Sequence, residues 1–499
     1  MTKRSRALGW AALAAVAAVA ALVASCGSTV PLAQQQTAGG GVGGSASTAV
    51  DPSGGSLPVG SPPGLGTGTG GNITGGGAGS AGGGTGPGRA PTAPGAAPQN
   101  APGSSAVAVN SPVRVGVLYT QGADQAAKTF GVSGLTTGDT KAQAAAVISW
   151  INAHGGMGGH RVDPVYYGMD FATAANNPDQ AHQTACASLT QDSKVRFVVT
   201  ILNFAPVTLP CYAKARVGIL SDASGLGSET TTKYATFFGA PGDFAIERVV
   251  KNLVDSLWAR GWLTKSSKVG SLTLDNSAGA SVVKQLSQAL AGHGLTITSD
   301  QRVGEGTGTA SQAPNVAFQY RARGVDRIIP LLTSPLFVMN AASSQNYHPA
   351  YALSSSFGPA FLEGSAPKDQ LKNAAGIGWQ PALDIGAGTK PGPVSANETL
   401  CYRLMAGAGQ ASTSATVRGF ELQICTLLFY LKSAGERLPA LPGDLLSRSR
   451  PLIGTSFAPA DTFRSDVTRR PDGAAAYRNF TFDDRCSCFQ YTSPITTAS

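Results

Sequence analysis

From residue 111 onward the chain alternates between two hydrophobic periods. "VRVGVLYT" (113–120) reads as a strand, and the segment after it places Ala144, Val147, Ile148 and Ile151 at i, i+3, i+4 and i+7. That spacing predicts an amphipathic helix over 139–153, with Asp139 as its N-cap. A strand at 160–169, a helix around 178–190, the strand "KVRFVVTIL", a helix around 206–216 and "GILSDAS" follow. Strands alternating with helices predict parallel βαβ units covered by helices on both faces. After Pro241 the pattern restarts: a helix at 243–260, "KVGSLTL" (268–274), a helix at 279–293 and "RIIPLLT" (327–333). "KVGSLTLDNS" echoes "RVGVLYTQGA", so the expected fold is α/β with two similar Rossmann-like lobes rather than one large sheet. In such sheets ligands sit beyond the carboxyl ends of the strands, and a cleft between lobes holds a small molecule well.

Four glycines (Gly155, Gly156, Gly158 and Gly159) stand between the first helix and the second strand. A phosphate-cradling loop follows a strand and opens a helix. Here the order is reversed, so the run is expected to stop a helix and turn into a strand.

The chain begins "MTKRSRALGWAALAAVAAVAALVASCGS". Lys3, Arg4 and Arg6 precede an apolar stretch from Ala7 to Ala24, which ends in small residues before Cys26. This is the order of a secretory signal rather than a membrane anchor. The Val-Ala-Ser-Cys junction resembles the lipobox of bacterial lipoproteins, which implies a signal peptide over 1–25 and an acylated Cys26 as the mature N-terminus. Residues 27–110 are dominated by Gly, Ser, Thr, Pro and Ala, with few large apolar residues. They are expected to form a disordered tether reaching on the order of 50 Å. The expected location is the extracytoplasmic face of the cell membrane, held by lipid.

The formal net charge is +9; without Lys3, Arg4 and Arg6, 34 basic residues face 28 acidic ones. The charges are scattered, without a basic run or interleaved aromatics, so nucleic acid is not an expected partner. Of seven cysteines, six remain once Cys26 is lipidated, an even number that suggests disulfides in an exported chain. Cys186 with Cys211 and Cys401 with Cys425 are candidate pairs. A bridge between Cys486 and Cys488 would be a tight ring, and their pairing stays open.

Catalytic patterns are weak. None of the five histidines (His154, His160, His182, His293 and His348) sits in a metal or H-E-x-x-H pattern. "SVVK" (281–284) and "SAPK" (365–368) match S-x-x-K without its companion motifs, and no G-x-S-x-G occurs in the folded part. No enzyme, metal or cofactor is expected.

"VRVGVLYTQG", "INAHGGMGGHRVDPVYYGMD", "GILSDAS" and "NAAGIGWQPAL" occur in the order and spacing of type I periplasmic-binding-fold proteins. The chain resembles the branch that serves branched-chain amino acid ABC transporters, over nearly all of residues 112–495. That resemblance implies three crossovers between lobes, with lobe one at 112–240 and 376–452 and lobe two at 241–375 and 453–495. A first-lobe disulfide placed like Cys186–Cys211 also occurs in the family. The implied function is capture of an amino acid, amide or related carboxylate by a monomeric lipoprotein for a membrane permease. A ligand-sensing lipoprotein is the alternative, and a cell-envelope enzyme a more distant one.

Relatives hold the ligand with hydroxyls and N–H groups after the lobe-one strands, and with an acidic residue from lobe two, because a buried zwitterion must have both charges met. On these positions stand Gln121, Asn203, Phe204, Ser221, Asp222 and Ser224 in lobe one. Asp222 is read either as an anionic partner or as a cap. Lobe two supplies Asn276, Ser277, Thr333 and Ser334, with Ser354 to Ser356 where the acidic residue is expected, Ser356 among them as a contact. For each of these residues, capping its own helix is the competing use.

Overall fold

The computed structural model describes residues 110–122, 125, 136–201, 208–222, 225–386 and 395–499. All belong to the compact unit Ala93–Ser499. The expected signal peptide and Cys26 lie outside the described residues, as does nearly all of the expected tether. Among the described residues no helix is long and apolar enough to cross a membrane.

The first sheet contains β1 (Val113–Gln121), β2 (Val162–Asp170), β3 (Phe197–Thr200), β4 (Gly218–Ser221) and β5 (Phe238–Gly239). All are parallel, in the order β2-β1-β3-β4-β5. Between them run α1 (Thr140–Ala153), α2 (Phe171–Asn176), α3 (Pro178–Ala187), α4 (Thr208–Ala215) and α5 (Ser228–Lys233). β1 is buried on both faces, as parallel strands are. Val113, Val115 and Val117 pack with Ala144, Val147, Ile148 and Ile151 of α1, while Leu118 packs with Val198 and Ile219 on the other side. Asp139 caps α1 as expected, its Oδ1 accepting the Ala142 N–H at 2.9 Å.

The second half repeats this plan. It runs α6 (Ile246–Ala259), β6 (Val269–Leu274), α7 (Ser277–Ala291), β7 (Ile297–Val303), α8 (Thr307–Ala322) and β8 (Arg327–Pro330). Next come α9 (Leu336–Ser344), β9 (Ala350–Ser354), α10 (Pro359–Ser365), α11 (Lys368–Leu371) and β10 (Ala375–Gly378). The order β7-β6-β8-β9-β10 is the order of the first sheet, with β6 in the place of β1. The echo between "RVGVLYTQGA" and "KVGSLTLDNS" thus marks equivalent strands.

The chain then returns as α12 (Pro381–Asp384), α13 (Ala396–Gly407), α14 (Ala415–Arg437) and α15 (Leu445–Ile453). Cys401, Leu427 and Ile453 share a core with Val115 and Val199, so these helices cover the first sheet. A last crossover leads to β11 (Ala476–Asp483) and β12 (Cys488–Tyr491), which join the second sheet beside β10, and to β13 (Thr496–Thr497) against β11.

Two details differ from the sequence-based expectation. The pairs β10–β11 and β11–β12 are antiparallel, so the second sheet is mixed. β10 belongs to that sheet, which places the second crossover after Gly378 rather than at 376.

Disulfides join Cys186 to Cys211, Cys401 to Cys425, and Cys486 to Cys488. The first clamps α3 to α4, the second α13 to α14. The third closes the β11–β12 turn, a pairing that spacing alone left open.

Candidate functional site

The carboxyl ends of the two sheets meet. A methyl group at Gly225, after β4, would lie 3.4 Å from Leu332 Cδ2, after β8. A methyl group at Gly306, after β7, would lie 2.1 Å from the carbonyl oxygen of Ala175 in α2. The carboxyl-end segments of one lobe therefore approach those of the other at two places.

Lobe one contributes the ends of β1, β2 and β4. Gln121 is exposed at the end of β1 and donates from Nε2 to Tyr119 Oη at 3.2 Å, its side chain lying against Gly168. In register with it, Asp170 ends β2 and accepts from both the hydroxyl and the N–H of Thr173, which hold its carboxyl below the usual range. Ser221 is buried at the end of β4. Asn203, Phe204 and Ser224 lie outside the described residues.

Lobe two contributes the ends of β6, β7, β8 and β9. Asn276 is half-buried and caps α7, with Oδ1 accepting from Gly279 N at 2.9 Å; Ser277 beside it is exposed. The Asn276 Nδ2 donates to Glu305 Oε1 at 2.8 Å. Thr333 Oγ1 lies 3.5 Å from Thr309 Oγ1, and the exposed Ser334 accepts the Leu336 N–H at 3.4 Å. Of the three consecutive serines, Ser354 and Ser355 are buried and Ser356 is exposed. Ser355 Oγ accepts the Trp379 and Gln380 N–H groups at 2.7 and 3.2 Å, so it holds the second crossover.

One residue stands differently from its sequence-based reading, and one that had no such reading joins the rim. Asp222 is 1% exposed, and its Oδ1 accepts the Gly242 N–H at 2.7 Å in the first crossover. It serves the joint between the lobes, a use that neither expectation named. Glu305, which no sequence pattern marks, is a carboxylate at the lobe-two rim, exposed, bonded to Asn276 and next to the Gly306–Ala175 contact. "GEGTG" carries no helical or strand period, so nothing in the sequence marks it. Gln380 and Asp461, also at the joint, come from segments whose meeting only the fold decides.

Among the described residues, no group of three or more His, Cys, Asp or Glu is placed to hold a metal ion. His160, buried after the glycine run, has Nδ1 at 2.9 Å from the Ser111 carbonyl and Nε2 at 3.0 Å from that of Pro439. It ties three segments together.

No protein-family model and no curated protein matches the chain. Solved structures do. A solute-binding protein of an ABC transporter from Rhodopseudomonas palustris, in complex with p-hydroxybenzoic acid, is 14% identical with a TM-score of 0.57, covering 78% of this chain and 98% of its own. A periplasmic substrate-binding protein from Ralstonia solanacearum is 16% identical with a TM-score of 0.56, covering 76% and 99%. The branched-chain amino acid transporter substrate-binding protein LivJ from Streptococcus pneumoniae, in complex with isoleucine, is 13% identical with a TM-score of 0.55, covering 77% and 99%. With its repeated strand order, three crossovers and matching sheet ends brought together, the chain has the fold of the type I periplasmic binding proteins of ABC transporters.

Proposed function

We propose that the chain is an extracytoplasmic solute-binding protein that closes its lobes on a small polar ligand and delivers it to an ABC permease. The observation that carries this reading is the paired architecture: equivalent strand ends of two repeated sheets come together, with amide, hydroxyl and carboxylate groups at those ends and three crossovers able to hinge. Structural neighbours hold isoleucine or p-hydroxybenzoic acid, both carboxylates, which supports a ligand from the proposed class of amino acids, amides and related carboxylates. Gln121, Asn203, Phe204, Ser221, Ser224, Asn276, Ser277, Thr333, Ser334 and Ser356 are the proposed contacts, and Glu305 is the proposed partner for a ligand cation. The proposal includes a lipid anchor at Cys26 and a monomer at the membrane.

A thermal-shift screen of the full-length protein against amino acids, amides, aromatic acids and short carboxylates tests this, with calorimetry on hits. A ligand at a hundredfold excess over Kd adds about 2.7 kcal/mol of stability to the native state. The expected result is a one-to-one hit at micromolar Kd. For an ammonium-bearing hit, Glu305→Gln lowers affinity about tenfold, or about 1.4 kcal/mol. A flat screen on protein stripped of ligand would overturn solute capture.

A further inference from the structure

Where the crossovers converge, two carboxyl groups from distant parts of the chain crowd one point. Asp222 follows β4, and Asp461 lies on the third crossover. A methyl group at Gly242, in the first crossover, would sit 2.6 and 2.8 Å from the two Asp461 oxygens and 3.0 Å from Asp222 Oδ2. Both residues are buried, at 1% and 2% exposure. Asp222 Oδ1 accepts the Gly242 N–H, but among the described residues Asp222 Oδ2 has no hydrogen-bond partner. Asp461 Oδ1 accepts from Thr426 Oγ1 at 2.8 Å, and its Oδ2 accepts from Gln380 Nε2 at 3.4 Å. The Gln380 and Gln423 amides both donate to the Asp222 carbonyl at 3.3 Å. All three crossovers and α14 thus meet on this pair.

The other groups facing the pair do not neutralise it. Asp243, from the first crossover, adds negative charge. Tyr430 faces it from α14, with Arg450 of α15 bearing on Tyr430. Asp384 of α12 is buried close to Gln380 and bonded to Tyr491 of β12 at 2.7 Å. Asp472 is matched by Arg248 at 2.9 Å. Among the described residues neither Asp222 nor Asp461 forms an ion pair. Two ionised carboxylates in a site closed to water would repel without compensation.

We infer that Asp222 and Asp461 share a proton in this junction, and that its loss loosens the joint between the lobes, making the hinge pH-sensitive. Burial is the largest cause of raised proton affinity in both groups, and it pushes Asp461 up to about 8. In the unfolded chain both carboxyls titrate near 3.9. The native state therefore binds more protons between these values. The stability this provides is complete below about pH 4 and is lost as the pH rises towards 8. The inference concerns the hinge and holds whether or not a solute is carried.

Thermal unfolding and small-angle scattering of the full-length protein from pH 5 to 8.5 provide the test. Wild type is expected to lose about 3 °C or more beyond what Asp222→Asn and Asp461→Asn lose over this range. Its radius of gyration should grow with pH while those of the variants stay constant. Parallel loss of Tm in wild type and either folded variant would overturn the inference. A wild-type radius that stays constant would do so without any variant. Millimolar Na+ or Ca2+ that flattens the wild-type profile would overturn it too, by making the pair a cation site.

Discussion

At Gly156 the backbone holds φ at 67°, and a methyl group would sit 2.1 Å from the His160 carbonyl oxygen. Gly156→Ala is expected to cost about 2 kcal/mol or more, from the left-handed backbone and the collision together, read by chemical denaturation. The polarity of helix, glycines and strand was enough to identify this turn, because its causes are local. The cleft residues are different. Asn276 and Ser334 do serve their own helix starts, as their residue types suggest, but Asn276 also hands its amide to Glu305. The sequence marks the first use and is silent about the second, since Glu305 reaches Asn276 only through the pairing of β6 with β7.

At the scale of elements, the hydrophobic period identified the strands and helices of the first lobe well, but it left β7, α8, α9 and β9 of the second lobe unmarked. It also identified the repeat, since β1 and β6 occupy the same place in sheets of the same order. Strand direction was less visible. β11 and β12 run antiparallel because the chain enters them from the third crossover and turns back at once, and period carries no direction. That turn holds the Cys486–Cys488 bridge, with Cys486 exposed, while Cys186, Cys401 and Cys425 are fully buried. A mild dithiol should therefore open Cys486–Cys488 first, since exchange needs access to a sulfur. Alkylation followed by peptide mass mapping checks this, and the other two bridges should remain intact.

For the whole molecule, the lobes come close where Gly306 meets Ala175. Gly306 is at φ 56°, and any side chain there would meet the Ala175 carbonyl. Gly306→Ala should hold the rims apart. The expected outcome is a larger radius of gyration by scattering and an affinity about tenfold weaker for a ligand held by both lobes, as closure is stabilised by contacts to both at once. Asp384 reports on the same region from the second crossover. Burial pushes its carboxyl up to about 7, despite hydrogen bonds from Tyr491 and Ser355. Like the pair beside it, it adds stability that is present at acid pH and fades as the pH approaches neutrality.

The sequence alone determined the alternation of elements, the doubling of the lobe and the glycine turn, and it offered two of the three disulfide pairs as candidates. These depend on period, polarity and composition, which act over a few turns of chain. Only the tertiary structure decided which polar residues share the cleft rim, that Asp222 belongs to the joint rather than the open rim, and that Gln380 and Asp461 meet it there. Those contacts join segments from different crossovers, and such segments are brought together by the packing of two sheets rather than by any pattern within either one.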